Sequence, residues 1–290
     1  MIPGQFDYVR PGNLDETLRI LKDREGEAKI LSGGYSLIPL LKLRLAQPGV
    51  LVDIQAVGGL DGIVRTDDDW RIGSRATHRS ILEHAGLTAE HPVIGDAAGG
   101  IGDPQIRNWG TIGGSVAHAD PSSDWPAVIL ALRGSVVVRS VDGERVLPAR
   151  GFFVDTFQTG IEPTEVLTEV RVPHAAPRTG SAYVKLERRA GDFATVGVAA
   201  VLTLAADGSI AAAGVALTAV NDTPFASTDA EAVLVGASPG NDVFAMAAGA
   251  AAGQAKPVTD GHGPADYKLA MVREITARAL RQAAARAQGA

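Results

Sequence analysis

Hydrophobic positions recur along the chain in two rhythms, every third or fourth residue in some stretches and every second in others, and these rhythms divide it into elements. Leu14, Leu18 and Leu21 share a helical face, and Asn13 with Glu16 reads as a capping box that starts the helix. Ala28 to Leu31 reads as a buried strand, Ser32 to Ser36 as a tight loop, Leu37 to Leu45 as a helix and Val50 to Ile54 as a second strand. Together these predict a small βαβ unit. A second unit holds a strand from Trp70 through Ile72 and helices from about Thr77 to His84 and from Pro92 to Ala98. Gly99 to Asp124 is a long glycine-rich passage, followed by an apolar helix to Leu132 and a strand at Val136 to Arg139. Asp142-Gly143 predicts a hairpin turn, and Val166 to Val172 alternates as a strand.

Pro173 to Pro177 reads as a linker. Beyond it Tyr183 to Leu186, Val196 to Leu204 and Ile210 to Val220 predict strands, the last two joined at Asp207-Gly208, and Ala/Gly-rich helices fill the remainder. Strands followed by helices, with no internal repeat, predict an α+β fold. The expected division is a domain at residues 1–176, with subdomains at about 1–55 and 56–176, and a second domain at 177–290.

Composition narrows the chemistry. The chain has 290 residues, 46% of them hydrophobic, and a formal net charge of -6. That charge offers no basic field for a phosphate backbone, so nucleic-acid binding is not expected. With no cysteine, the chain can hold neither a disulfide, a thiolate-bound zinc, an iron–sulfur cluster nor a cysteine nucleophile. Any metal-centred redox chemistry would have to sit on another polypeptide. The N-terminus lacks the basic start and apolar run of a signal peptide, and no apolar stretch approaches the roughly 20 residues of a membrane span. A cytoplasmic protein is expected.

Two glycine elements carry the candidate binding chemistry. In Leu31 to Pro39 adjacent glycines, Gly33 and Gly34, follow a strand and are flanked by Ser32 and Ser36. Backbone amides unobstructed by Cβ atoms suit a phosphate, as do flanking hydroxyls. Such a pair alone is more often an ordinary turn. A second hydroxyl-Gly-Gly-Ser element, Thr111 to Ser115 within Gly110 to Asp124, alters the balance, because a dinucleotide diphosphate between two subdomains can draw amides from both. Neither element fits the Rossmann or P-loop spacing. Asp103 and Asp120 read as turn formers and His118 as a structural hydrogen-bonding residue; His78, His84 and His91 miss the spacing of a helical metal pair. No metal site and no catalytic side chain are expected on this chain.

Taken together, the segments beginning PGQFDYVRPGNLDETLRIL, and then LSGGYSLIPLLKLRLAQP, GDPQIRNWGTIGGSVAHADPSSDWP and YVKLERRAGDFATVGVAA, resemble the FAD-binding medium subunits of the molybdenum hydroxylases. The likeness spans almost the whole chain and is nearest to the carbon-monoxide-oxidising branch. It implies a fold shared with vanillyl-alcohol-oxidase (PCMH-type) flavoproteins and noncovalent FAD. It also implies that Ser32, Gly33, Gly34, Tyr35 and Ser36, with Thr111, Ile112, Gly113, Gly114 and Ser115, hold the diphosphate. Asp124 would lie near the ribose or adenine end, Leu167 against the isoalloxazine, and Lys185 close to the flavin ring, where a cation stabilises the anionic reduced form. Tyr35 stands where the family commonly has His, Gln or Asn, and Phe193 where a tyrosine commonly covers the flavin, which keeps the aromatic face without the hydroxyl.

The same resemblance implies a dimer of heterotrimers. A large molybdenum subunit oxidises substrate, a small subunit relays electrons through 2Fe–2S clusters, and this subunit delivers them from FAD to a quinone or other acceptor. The complex as a whole would bring it to the inner face of the membrane. Carbon monoxide is the favoured primary substrate, with aromatic N-heterocycles or aldehydes behind it. Two rivals are a self-contained flavin oxidase, which would show a covalent flavin tether, and a nucleotide-binding module that has lost its cofactor.

Overall fold

The computed structural model describes residues 2–289. In the N-terminal βαβ region, β1 (Asp7–Val9), β2 (Ala28–Leu31) and β3 (Val50–Asp53) pair in parallel in the order β1-β3-β2. α1 (Leu14–Asp23) joins β1 to β2, and α2 (Leu37–Lys42) joins β2 to β3. Asn13 Oδ1 accepts from the Glu16 amide at 2.9 Å, while the Glu16 carboxylate reaches one residue past the cap to the Gly12 amide at 2.8 Å. Leu18 and Leu21 then pack on Val50 and Val52. β1 was not anticipated, because its three residues are all partly or fully exposed and carry no alternation.

The second subdomain is an antiparallel sheet of β4 (Ile63–Arg65), β5 (Asp69–Gly73), β6 (Ser135–Ser140), β7 (Gly143–Pro148) and, after the small hairpin β8 (Phe153–Asp155) and β9 (Gln158–Thr159), β10 (Val166–Pro173). Its order is β4-β5-β10-β6-β7. Six helices are inserted between β5 and β6: α3 (His78–Leu82), α4 (Ala85–Glu90), α5 (Pro92–Gly100), α6 (Pro104–Trp109), α7 (Ile112–His118) and α8 (Asp124–Ala131).

Four expectations need correction here. The helix expected from about Thr77 to His84 is α3, and a further helix that was not expected, α4, follows it, because the His84 side chain accepts from the Leu87 amide and caps a new start. The glycine-rich passage contains α6 and α7, each started by its own cap, Asp103 and Thr111. The β6–β7 connection is Val141-Asp142, one residue earlier than expected, since Ser140 pairs with Gly143. α2 ends at Lys42 rather than Leu45.

After the linker, β11 (Thr179–Leu186), β12 (Val196–Leu204), β13 (Ile210–Thr218) and β14 (Phe225–Ala226) form an antiparallel sheet in that order. α9 (Thr228–Leu234), α10 (Asn241–Gln254) and α11 (Ala265–Ala287) pack on one face of it, where Val198, Leu202 and Leu217 meet Phe244, Val272 and Leu280. Strand residues alternate between faces, so Tyr183, Ala199 and Ala216 point the other way and join the core formed by Trp125, Val128 and Ile94. The two domains therefore share one apolar interior. Gly214 permits the approach, since a Cβ there would stand 2.1 Å from the Ala131 carbonyl oxygen. Arg286 of α11 clamps Asp96 of α5 at 2.6 and 3.0 Å. Among the described residues no helix is long and apolar enough to cross a membrane.

Candidate functional site: two glycine elements in contact

Parallel strands present ligands at their carboxyl ends, and β2 delivers the first glycine element there. Gly34 takes a left-handed φ of 81°, which turns the chain from β2 into α2. Among the described residues, the amides of Gly33, Gly34, Tyr35 and Ser36 donate to no protein acceptor. Gly33 is small for a reason the sequence does not reveal: a Cβ there would lie 2.3 Å from the Trp109 carbonyl oxygen and 3.0 Å from Gly110 Cα. The two glycine elements are thus pressed together, and Ser32 Oγ lies 3.1 Å from Thr111 Oγ1.

The second element is a helix start rather than a loop. Thr111 caps α7 by accepting from the Gly114 amide at 3.1 Å. The Ile112, Gly113 and Ser115 amides donate to the carbonyls of Ala76, Ser74 and Thr111. This corrects the expectation that both elements supply amides: those of Ile112, Gly113, Gly114 and Ser115 are committed inside the protein. Gly113 is likewise a packing glycine, its Cβ position lying 2.5 Å from Ser74 Cβ. What the second element offers is hydroxyls. Ser32 and Thr111 share one hydrogen bond between two O–H groups, so one proton remains for a third acceptor. Ser115 Oγ pairs with Ser123 Oγ at 2.6 Å. Four free amides and a spare hydroxyl proton, with no carboxylate bonded among them, make the junction rich in donors, which suits a phosphate or diphosphate.

Asp124, Lys185 and Tyr183 meet in a buried cluster across the domain boundary. Asp124 Oδ1 accepts from the Tyr183 hydroxyl at 2.6 Å and Oδ2 from Lys185 Nζ at 3.3 Å. Lys185 also donates to the Gly100 carbonyl at 3.2 Å and lies 3.4 Å from Glu187. Burial raises the Asp124 carboxyl above its ordinary value, opposed by the Lys185 charge. Burial, then the Asp124 charge, pushes the Tyr183 phenol well above its ordinary value. From strand alternation alone Lys185 would be a solvated surface lysine; its side chain is buried. Ser123, paired with Ser115, connects this cluster to the second glycine element.

Leu167 is buried in the core opposite Val138, beside a bulge between Leu167 and Glu169. Tyr35 is exposed. Phe193 is exposed too, in the turn between β11 and β12, and it is not the buried core anchor that a Phe between strands suggests. That turn rests on the first domain, with Gly191 against the Gly102 backbone. Asp103 and Asp120 serve as a cap and a turn, accepting from the Ile106 and Ser122 amides. His118 stacks on Phe157 at 5.0 Å, and its side chain makes no hydrogen bond among the described residues, contrary to expectation. Tyr183 was overlooked in the sequence, although it shares a strand face with Lys185.

Comparison with known proteins accords with this geometry. The family model described as the FAD binding domain in molybdopterin dehydrogenase matches residues 4–175, and that of the CO dehydrogenase flavoprotein C-terminal domain matches 181–283. The chain is 38% identical over 288 residues to the carbon monoxide dehydrogenase medium chain of Afipia carboxidovorans, covering 99% of this chain and 100% of that one. It is 37% identical over 288 residues to the 6-hydroxypseudooxynicotine dehydrogenase complex subunit alpha of Paenarthrobacter nicotinovorans, covering 99% and 97%. A structure of carbon monoxide dehydrogenase from Hydrogenophaga pseudoflava that lacks the Mo-pyranopterin moiety superposes with a TM-score of 0.96 at 40% identity, covering 99% of each chain. The chain belongs to the family of FAD-binding flavoprotein subunits of molybdopterin-dependent dehydrogenases.

Proposed function

We propose that this chain binds one FAD noncovalently at the junction of its two glycine elements and passes electrons from an iron–sulfur partner to an outside acceptor. The observation that carries this reading is the set of unpartnered amides from Gly33 to Ser36, closed on one side by the Ser32–Thr111 hydroxyl pair. The chain's residues fit a diphosphate there, and FAD would supply the redox chemistry while the protein binds and orients it. Tyr35, Asp124, Leu167, Lys185 and Phe193 belong to the proposed FAD site together with the two glycine elements. The proposed domains are residues 1–176 and 177–290.

The partners proposed are a small subunit with 2Fe–2S clusters and a large molybdenum subunit, in a dimer of heterotrimers, with a quinone or another acceptor and the cytoplasm as location. The full-length likeness to a carbon monoxide dehydrogenase medium chain favours carbon monoxide as the substrate of the large subunit. The likeness at nearly equal identity to the 6-hydroxypseudooxynicotine dehydrogenase subunit keeps N-heterocyclic substrates as the second reading.

Substituting Ser32→Val, which removes a hydroxyl at the junction, tests the site. The folded variant should bind FAD at least tenfold more weakly by fluorescence titration, with its circular dichroism unchanged. Affinity equal to that of the unsubstituted chain would remove the Ser32–Thr111 hydroxyl pair from the site.

A further inference from the structure

Tyr183, Lys185 and Glu187 stand at alternate positions, so the end of β11 turns all three side chains to one face, toward Asp124 at the start of α8. Lys185 Nζ lies 3.3 Å from Asp124 Oδ2 and 3.4 Å from Glu187 Oε2. One ammonium is therefore held between two carboxylates. Asp124 also accepts from the Tyr183 hydroxyl at 2.6 Å, whereas Glu187 Oε2 is enclosed and accepts no hydrogen bond among the described residues, which leaves it that ion pair alone. The surrounding charges cancel in pairs: Asp96 with Arg286 at 2.6 Å, and Asp192 with Arg188 at 3.3 Å. His78, bonded to the neighbouring Trp125, is neutral at physiological pH. With both carboxylates ionised, Asp124, Lys185 and Glu187 together thus carry one net negative charge.

A lone lysine beside a flavin stabilises the anionic reduced ring. Here the ammonium is already offset twice over, and a further negative charge nearby raises the proton affinity of the carboxylates. A proton on either of them leaves one carboxylate, one ammonium and one neutral acid, with no net charge. Burial of Asp124, which raises its carboxyl, acts in the same direction. The Asp124 and Lys185 side chains are each 9% exposed but that of Glu187 is 26% exposed, so Glu187 connects the buried group to water. Ser123, next to Asp124, bonds Ser115, one helical turn along α7 from Thr111, and this ties the group to the hydroxyl pair at the proposed diphosphate site.

We propose that Asp124, Lys185 and Glu187 form a proton-accepting unit that takes up one proton from water when the neighbouring flavin gains negative charge. The inference rests on the FAD reading given above. Two electrons from the iron–sulfur partner and one proton leave the ring with one negative charge. The carboxylate pair takes a second proton, so two electrons enter with two protons, and the second proton returns to water when the electrons leave.

Proton counting in the flavin-loaded protein, within its complex and purified through a tag on this chain, provides the test. In mildly alkaline, weakly buffered solution with an indicator dye, full reduction of Glu187→Gln should take up one proton fewer per flavin than reduction of the unsubstituted protein. Glu187→Gln leaves Lys185 and Asp124 as a neutral pair and should keep its circular dichroism and flavin content. Reduced-minus-oxidised infrared spectra supply a second measurement. The unsubstituted protein should gain the carbonyl stretch of a neutral carboxylic acid, and Asp124→Asn, which keeps an acceptor for Tyr183, should lack that band. Equal proton uptake by Glu187→Gln and the unsubstituted protein, or no new carboxylic acid on reduction, overturns the proposal. Flavin on the tagged chain separates the two readings: where it is present and the proton count is unaltered, only the proton-accepting unit falls. Its absence from the complex removes the FAD reading and this inference together.

Discussion

Phe193 stands half in solvent on a turn whose shape is set elsewhere, by Gly191 against Gly102 and by the Asp192 side chain accepting from the Phe193 amide at 2.9 Å. Truncation there removes little buried surface. Phe193→Ala should shift stability by no more than about 0.5 kcal/mol, against the 3–5 kcal/mol of a buried Phe. If its ring lies against the flavin, the folded variant will show an altered flavin spectrum and faster oxidation of the reduced protein by O₂; an unaltered spectrum and rate would take Phe193 out of the site. Asp124 is the opposite case. Asp124→Ala leaves the Lys185 ammonium with Glu187 and the Gly100 carbonyl but strips the buried Tyr183 hydroxyl of its acceptor, and should cost about 1–3 kcal/mol in denaturant unfolding. Asp124→Asn/Lys185→Met/Glu187→Gln removes all three charges while keeping an acceptor for Tyr183, and should cost much less. Equal losses in the two would mean that the cluster acts through packing. The residue types of this cluster were present in the sequence, but Tyr183 and Lys185 lie 59 and 61 positions from Asp124, and only the packing of one domain on the other brings them together.

At the scale of elements, the cap on α7 does two things at once. Thr111 Oγ1 accepts the Gly114 amide and also meets Ser32 Oγ, so one hydroxyl starts a helix and ties the two glycine elements. Thr111→Ala should therefore cost about 0.5–2 kcal/mol, as for other lost caps, and also weaken FAD binding. Thr111→Ser should restore both in fluorescence titration and thermal melts; rescue of stability without affinity would separate the cap from the site. Replacing Gly33 or Gly113 with valine is a poor probe by comparison, because the new side chains would strike Trp109–Gly110 and Ser74 and disturb the fold. The longer periodic elements were legible in the sequence: α1, the β2–α2–β3 unit, β10, β12 and β13 fall close to the expected positions, while β11 begins at Thr179, four residues before the expected Tyr183. The short ones were not. α4, α6 and α7 span six, six and seven residues, too few for a helical rhythm to emerge, and their positions are fixed by capping side chains and tertiary contacts.

For the molecule as a whole, the shared interior buries titratable groups whose response to acid can be read as stability. His78 lies against Trp125, whose Nε1 donates to its Nδ1 at 3.0 Å. Burial, with the charge of Arg107 adding to it, lowers this imidazole from 6.5 to about 4. The unfolded chain then binds a proton near pH 6.5 that the folded chain refuses until about pH 4, so the stabilisation is complete above 6.5 and is lost as pH falls toward 4. At 1.36 kcal/mol per pH unit this one group removes roughly 3 kcal/mol over that window. Glu90 follows at lower pH: burial would raise it, but donors from Trp70, the Ala175 amide and His174 outweigh that and hold it at about 2. Its contribution is complete above 4.5 and lost between 4.5 and 2. His174 works in the opposite sense: hydrogen bonds to the Thr66 carbonyl and to Glu90 raise it, so its contribution is full below 6.5 and fades as pH rises through its folded value. The expected profile is a fall in urea midpoint beginning below about pH 6.5, well above the range of ordinary carboxylates. His78→Gln keeps an acceptor for Trp125 and carries no titratable proton, so the variant should flatten the limb between pH 6.5 and 4, leaving the part carried by His91 and His118, whose imidazoles burial also lowers, and keep the lower limb. If the variant and the unsubstituted chain have parallel midpoints from pH 7 to 4, the early acid limb does not arise from His78.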